Sequence, residues 1–111
     1  MPRNPGNIGI AGIVVYIDGE KADEKTVVIR TKRRELTNNI MEYEAVKLAV
    51  QYLQQMKGLG VKKAIIYSDS QLVINQLNGK YMTWSKHLKY YRDRILFMIE
   101  LLDFPVEFKW I

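Results

Sequence analysis

The segment AIIYSDSQLVINQLNGK, residues 64–80, contains the pattern that decides the fold. It opens with a short apolar run that ends at Asp69, and we expect a buried, central, parallel strand there. A short helix is predicted directly afterwards, and the turn pair Asn78-Gly79 ends it. Ligands of open α/β sheets usually bind at the carboxyl ends of parallel strands, where Asp69 is expected. Asp69 is therefore a candidate site residue; the competing interpretation is a helix cap worth about 1 kcal/mol.

Two strands and a long helix are predicted on the amino-terminal side of this segment. IGIAGIVVYID (8–18) is a nearly continuous apolar run, and KTVVIRTKRR (25–34) is expected to be its antiparallel hairpin partner across the polar turn GEKADE. TNNIMEYEAVKLAVQYLQQMKGLG (37–60) has helical spacing, and Gly58 and Gly60 are expected to end the helix. Its predicted apolar face consists of Met41, Ala45, Leu48, Tyr52 and Met56.

The carboxyl-terminal part adds a second long helix and a last strand. SKHLKYYRDRILFMIELLDF (85–104) has an apolar stripe formed by Leu88, Tyr91, Ile95, Ile99 and Leu102, and PVEFKWI (105–111) is expected to be a strand. Tyr81 and Trp84 are interpreted as packing residues and His87 as a surface residue. The order strand, strand, helix, strand, helix, helix, strand predicts an α/β domain in which helices pack on a mixed sheet.

Composition narrows the possible chemistry. The 111 residues suffice for one domain with one core. With no cysteine and one histidine, disulfides are excluded and a zinc site is not expected, so a bound metal would have oxygen ligands, as magnesium or manganese prefer. The net charge of +5 favours polyanionic partners, nucleic acid above all. No membrane span or secretory signal is recognisable, so we expect a soluble, cytoplasmic protein.

A second carboxylate, Glu42, is expected in the first turn of the long helix. Glu42 and Asp69 can both point into one cleft at the rim of the sheet. Two carboxylates without a histidine cluster suit a magnesium ion that also takes phosphate oxygens. The competing interpretation is that Glu42 only complements the dipole of its helix.

Two motifs in the right order resemble type 1 ribonuclease H. That family has Thr-Asn-Asn with a glutamate three residues later, then a strand ending in Ser-Asp-Ser-Gln and a helix ending in Asn-Gly-x-Tyr. NPGNIGIAGIVVYID (4–18) also resembles the family's Asn-Pro-Gly turn and second strand. The resemblance runs along nearly the whole chain and implies a single ribonuclease H-like domain over residues 1–111. The matching positions in the two motifs are Thr37, Asn38, Asn39, Glu42, Ser68, Asp69, Ser70, Gln71, Asn78, Gly79 and Tyr81.

The resemblance implies a metal-dependent endonuclease that hydrolyses the RNA strand of RNA–DNA hybrids with Mg²⁺ or Mn²⁺. It implies that Glu42 and Asp69 are catalytic, metal-binding carboxylates. It also implies that the hybrid is contacted in its minor groove, partly at the 2′-hydroxyl groups that distinguish RNA from DNA. The alternative is a non-catalytic module that binds hybrids or double-stranded RNA. The implied nucleic-acid contacts are Asn4, Asn38, Asn39 and Gln71, with Thr37 on a DNA phosphate.

Two of the family's four metal-binding carboxylates have no counterpart in this sequence. One lies on an opening strand before the Asn-Pro-Gly turn, and the other near the start of a C-terminal helix. We therefore expect a chain truncated at both ends relative to the family, with weak or no cleavage. YIDG (16–19) imitates the first carboxylate motif but follows the Asn-Pro-Gly turn. Asp18 is interpreted as a turn residue at the rim opposite the site.

The family's opening strand lies between the two strands expected at residues 8–18 and 64–69. Without it, we expect a gap at the centre of the sheet and unpaired backbone groups on both sides. Three explanations remain open. The chain is incomplete, which we favour; or a strand comes from a partner, as in a swapped homodimer; or the two flanking strands pair directly.

Overall fold

The computed structural model describes residues 8–30 and 38–111. Its elements follow the predicted order, and the α/β class with helices packed on a mixed sheet is confirmed. The strands and helices are β1 (Ile8–Ile17), β2 (Glu20–Arg30), α1 (Asn38–Gln54), β3 (Ala64–Ser68), α2 (Gln71–Leu77), α3 (Lys86–Glu100) and β4 (Val106–Trp110).

The four described strands form one sheet in the order β2-β1-β3-β4. β1 is antiparallel to both of its neighbours, whereas β3 and β4 are parallel. The β1–β2 turn is tighter than predicted, because β2 already begins at Glu20. Asp18 and Gly19 alone form the turn, with positive φ angles of 51° and 85°. Such angles match the right-handed twist of a two-residue hairpin, and Asp and Gly tolerate them well.

The expected gap at the centre of the sheet is not found in this described sheet. β1 pairs directly with β3, from Ile13 opposite Ser68 to Ile17 opposite Ala64. The expectation of unpaired backbone is therefore wrong for residues 13–17 and 64–68, because the antiparallel ladder satisfies those groups. A homodimer stays a prediction. The direct β1–β3 pairing weakens the argument for it, which rested on unpaired strands.

Of the three described helices, α1 and α2 contact the sheet and α3 packs on α1, and one core cluster includes residues of the sheet and of all three helices. Along β3, Ala64, Ile66 and Ser68 are buried, while Ile65 and Tyr67 are half-buried. Since successive side chains of a strand point to opposite faces, the buried set marks the face that α1 covers. The core residues of the sheet are Ile13, Val15, Ala64, Ile66 and Phe108.

α1 buries a broader surface than the predicted stripe. Met41 and Ala45 are buried, but Leu48 is 36% exposed, so its assignment to the apolar face is wrong. The reason is that α1 contacts both the sheet and α3, which places buried side chains on two sides of the helix. The helix also ends at Gln54, several residues before Gly58. The further buried residues of α1 are Tyr43, Val46, Ala49, Val50 and Leu53.

The apolar stripe predicted for residues 85–104 is confirmed, although α3 ends at Glu100, before Leu102. Ile95 is buried, and Leu88, Tyr91, Ile99 and Leu102 are partly buried against the core. Tyr81 and Trp84 are 45% and 83% exposed, so their interpretation as packing residues is wrong; they lie in the connection between α2 and α3. His87 is exposed, as predicted. Within residues 8–30 and 38–111, no helix has the length and hydrophobicity that crossing a membrane requires.

Candidate active site

Glu42 and Asp69 meet at one rim of the sheet. Asp69 directly follows the last residue of β3, and Glu42 projects from α1, which covers this face. The two carboxyl groups are close enough for Asp69 to raise the pKa of Glu42. The structure therefore brings together the two carboxylates that the sequence singled out.

The competing interpretations of these two residues do not agree with the local geometry. Ser70 is the N-cap of α2, because its side chain accepts a hydrogen bond from the Val73 N–H at 3.3 Å. Asp69 is thus not the cap, and it is exposed. α1 begins at Asn38 and has no acidic residue in its first turn, so the expected first-turn position of Glu42 is wrong. The helix dipole acts mainly within that first turn and does not account for Glu42.

The electrostatics of the pair favour a positive charge nearby. The pKa of Glu42 is raised from 4.5 to about 7, mainly by burial and in addition by the negative charge of Asp69 and a hydrogen bond with it. The Ser68 hydroxyl opposes the shift by donating a hydrogen bond to Glu42 Oε2 at 3.3 Å. A cation between the two carboxylates would relieve both the repulsion and the loss of hydration.

The donor set fits an oxygen-preferring divalent cation. Two carboxylates supply hard oxygen ligands, and the remaining coordination positions would be taken by water or phosphate oxygens, as Mg²⁺ often requires. Among residues 8–30 and 38–111, no group of three or more acidic, histidine or cysteine side chains is placed to hold a metal. The described part of the chain therefore offers a pair of carboxylates to a cation.

Ser68 links the Glu42 carboxylate to the peptide group that follows Asp69, a role that the sequence analysis did not assign. Its side chain is fully buried. The hydroxyl donates to Glu42 and accepts a hydrogen bond from the Ser70 N–H at 3.1 Å. The period of a strand places residues 64, 66 and 68 on one face of β3, and the structure shows that this is the core face. A hydroxyl at a core-facing position needs a hydrogen-bond partner.

Trp110 is a second residue of the site that the sequence analysis missed. It lies beside Ser68 in the parallel pairing of β3 and β4. Its indole Nε1–H donates a hydrogen bond to the backbone carbonyl of Asp69 at 3.2 Å, and the side chain remains 53% exposed. This contact depends on the register between two strands that are far apart in the sequence, so no local pattern indicates it.

Three of the predicted nucleic-acid contacts lie near this rim. Asn38 and Asn39 are the first two residues of α1, one turn before Glu42, and Gln71 is the exposed first residue of α2. The two helices are held together by a buried hydrogen bond of 2.7 Å from the Tyr43 hydroxyl to Gln76 Oε1. The other two predicted contacts, Asn4 and Thr37, lie outside the described residues.

Asp18 lies at the other rim of the sheet. Its neighbour Ile17 pairs with Ala64, at the start of β3, whereas Asp69 follows the end of that strand. Five strand residues separate the two rims by roughly 15 Å. The interpretation of Asp18 as a turn residue away from the carboxylate pair is confirmed.

Comparisons with known proteins agree with this fold. A model of the reverse transcriptase-like family matches residues 4–111. The RNase H1 isolated from compost by metagenomics is 28% identical, with a TM-score of 0.71 over 96% of this chain and 76% of that one. The RNase H1 of the halophilic archaeon Halobacterium salinarum is 27% identical, with a TM-score of 0.67 over 98% of this chain and 79% of that one.

A third structure supports the fold alone, because its identity is lower. The N-terminal RNase H domain of Rv2228c from Mycobacterium tuberculosis, solved as a fusion with maltose-binding protein, is 23% identical. Its TM-score is 0.69, over 96% of this chain and 73% of that one. From the family match and the two RNase H1 structures together, we conclude that the chain belongs to the reverse transcriptase-like family and, within it, to the type 1 ribonuclease H proteins.

Proposed function

We propose that this chain is a ribonuclease H-type endonuclease domain that acts on the RNA strand of RNA–DNA hybrids. Its family membership supports the nuclease class. The observation that carries the proposal is the meeting of Glu42 and Asp69 at the end of a parallel strand, where their mutual repulsion favours a bound cation. Proteins of this family use divalent metal ions; here we propose Mg²⁺ or Mn²⁺, held by Glu42 and Asp69.

The residues around the pair would prepare it for such an ion. A divalent cation supplies charge neutralisation and water activation for phosphodiester hydrolysis. Ser68 orients Glu42 through its hydroxyl, and Asp69 is exposed at the rim, where a phosphate group can approach. The half-buried position of Glu42 limits its hydration, which strengthens its attraction to a cation.

The proposed recognition of the hybrid uses amide side chains at the starts of two helices. Asn38, Asn39 and Gln71 each offer a donor and an acceptor, which suits sugar hydroxyls and base edges in a minor groove. We propose the same role for Asn4, and a DNA phosphate contact for Thr37. The net charge of +5 would add affinity that does not depend on base sequence and decreases as salt increases.

Weak or absent cleavage is expected from the 111-residue chain, because only two acidic side chains meet at this rim in the described residues. The test compares the unmodified chain with Asp69→Asn, by calorimetric titration with MnCl₂ and by incubation of a labelled RNA–DNA hybrid with Mg²⁺. We expect measurable Mn²⁺ binding that Asp69→Asn removes, and retained binding of the hybrid. The control is Asp93→Asn, an exposed aspartate that is ion-paired with Arg92 on α3.

The same pair of carboxylates leaves a second candidate function, a module that binds hybrids or double-stranded RNA without cleaving them. This alternative predicts salt-dependent binding that neither Mn²⁺ nor Asp69→Asn alters. Efficient cleavage lost in Asp69→Asn would contradict the expected weak activity and exclude the binding-only alternative. No binding to any nucleic acid at about 50 mM salt would exclude both functions, because a basic nucleic-acid-binding domain binds most strongly at low salt.

A further inference from the structure

The peptide group between Asp69 and Ser70 is held at both ends. Its carbonyl oxygen accepts the hydrogen bond from Trp110 Nε1–H at 3.2 Å. Its N–H donates to Ser68 Oγ at 3.1 Å. Because a peptide group is planar and trans, its C=O and N–H point in opposite directions, so these two bonds fix the tilt of the whole plane.

The tilt of this plane influences the direction of the Asp69 side chain. Asp69 stands between the end of β3 and the N-cap of α2, where neither the sheet ladder nor the helix contains its peptide carbonyl. A rotation of the peptide plane changes the backbone dihedral at Asp69 and thereby moves the carboxylate relative to Glu42. Metal sites tolerate little such movement, because their affinity depends on the groups that orient the ligands.

Trp110 is well placed to supply this restraint. Its position opposite Ser68 in the parallel ladder is secured by a backbone hydrogen bond of 3.0 Å from the Ile111 N–H to the Ser68 carbonyl. Two consecutive carbonyl groups are thus held from this side: that of Ser68 by the Ile111 backbone, directly after β4, and that of Asp69 by the Trp110 indole. Hydrogen bonds continue from the held peptide through the Ser68 hydroxyl to Glu42 Oε2.

We propose that Trp110 is a positioning residue of the carboxylate site. Its indole N–H fixes the Asp69–Ser70 peptide, and the fixed peptide keeps the Asp69 carboxylate aimed at the cation shared with Glu42. This inference rests on the proposed function for the cation, but the restraint on the peptide is a property of the protein alone. The two parts can therefore be measured separately.

The decisive variant is Trp110→Phe, which keeps an aromatic ring and removes the N–H donor. The matched control is Trp84→Phe, the same change at the other tryptophan, which is 83% exposed. The first measurement is exchange of the Ser70 amide proton, followed by NMR without metal. We expect faster exchange in Trp110→Phe than in the unmodified protein, and no change in Trp84→Phe, because only the former releases the peptide.

The second measurement is the dissociation constant for Mn²⁺, obtained by titration with MnCl₂. Loss of one supporting hydrogen bond is expected to weaken binding roughly 3- to 10-fold in Trp110→Phe. Adding Ser68→Ala should produce less than the product of the two separate effects, because both side chains hold the same peptide. A purely structural role for Trp110 would lower the melting temperature and leave the Mn²⁺ affinity of the folded variant unchanged.

The outcomes separate the two proposals. Unchanged Ser70 exchange in Trp110→Phe overturns the positioning role, whatever the metal result. Faster exchange with an unchanged Mn²⁺ dissociation constant also overturns it, since the peptide would then not affect the site. Absence of Mn²⁺ binding to the unmodified protein overturns the proposed metal function, and with it the part of the inference that concerns the cation. Equal weakening by Trp84→Phe would show that the effect is not specific to Trp110 and would overturn the proposal.

Discussion

Asp18 Oδ1 accepts hydrogen bonds from the backbone N–H groups of both Lys62 and Lys63, at 2.9 Å and 3.0 Å. The N–H of Asp18 donates in turn to the Lys63 carbonyl at 2.9 Å. These three bonds attach the β1–β2 turn to the segment that leads into β3. They therefore secure one end of the direct β1–β3 pairing that closes the centre of the sheet.

Replacing Asp18 should weaken the fold and leave the carboxylate pair intact. We expect Asp18→Ala to lower the free energy of unfolding by about 1–2 kcal/mol, because two backbone N–H groups lose their acceptor and alanine is strained at a positive φ. Urea unfolding measures this loss. Asp18→Asn is the control, since asparagine tolerates this φ and keeps one side-chain oxygen, so its loss should be smaller. Weaker Mn²⁺ binding by folded Asp18→Ala would contradict the assignment of Asp18 to the opposite rim.

Glu42 should make the metal-free protein less stable as the pH rises. Its pKa is 4.5 ordinarily and about 7 in the folded protein, so the folded state binds more protons than the unfolded state between these values. Stability linked to Glu42 is therefore complete below about pH 4.5, decreases as the pH rises through 7, and levels off above. With allowance for solvent screening, we expect a loss on the order of 1–2 kcal/mol.

Urea unfolding in EDTA at pH 5 and pH 8 checks this dependence. Glu42→Gln should remove most of the decrease, because the neutral amide has no proton to lose. Glu44→Gln is the matched control on the same helix; Glu44 is ion-paired with Lys47. The control should retain the decrease seen in the unmodified protein. An equal decrease in Glu42→Gln would show that another group causes it.

Asp69→Asn should lower the pKa of Glu42. The substitution removes the negative charge that disfavours ionisation of Glu42, while burial, the larger cause of the shift, remains. The pKa should consequently fall below about 7 without returning to 4.5. Carbon-13 NMR titration of the Glu42 carboxyl group measures this value directly. An unchanged pKa would mean that the two carboxylates do not interact in solution, which would remove the main support for a shared cation.

The sequence pattern predicts most of the fold because its signals are local. The apolar run at residues 64–68 marks a buried strand, and the Asn78-Gly79 pair marks the end of α2, where Gly79 has a φ of 75°. The candidate carboxylates are recognisable for a similar reason, since Asp69 stands at the end of an apolar strand. These features need no knowledge of which distant segments meet.

The errors arise where distant segments decide the outcome. Leu48 fits the helical stripe but is exposed, because α1 packs against both the sheet and α3 and the stripe alone does not give the direction of either neighbour. The pairing of β1 with β3 and the contact of Trp110 with Asp69 depend on strand partners and register. Strand pairing is set by packing and turn geometry over the whole sheet, which periodicity within one strand does not contain.

Tyr43→Phe should destabilise the fold through Gln76. The Tyr43 hydroxyl donates a buried hydrogen bond of 2.7 Å to Gln76 Oε1, and the Gln76 side chain is almost fully buried. Removing the hydroxyl leaves a buried amide oxygen without this donor, so we expect a loss of about 1–3 kcal/mol in urea unfolding. Tyr90→Phe is the control, because Tyr90 is 61% exposed and should change stability by less than about 0.5 kcal/mol.

The raised pKa of the Tyr43 hydroxyl also predicts that the protein loses stability at alkaline pH. Burial raises the pKa of Tyr43 above its ordinary value of 10, so at higher pH the unfolded chain releases the phenol proton while the folded chain keeps it. Stability linked to Tyr43 is thus complete below about pH 10 and decreases above it. Unfolding experiments between pH 9 and 11 should show a shallower decrease in Tyr43→Phe than in Tyr90→Phe. Equal slopes would mean that the Tyr43 hydroxyl is accessible to water, contrary to its bond with Gln76.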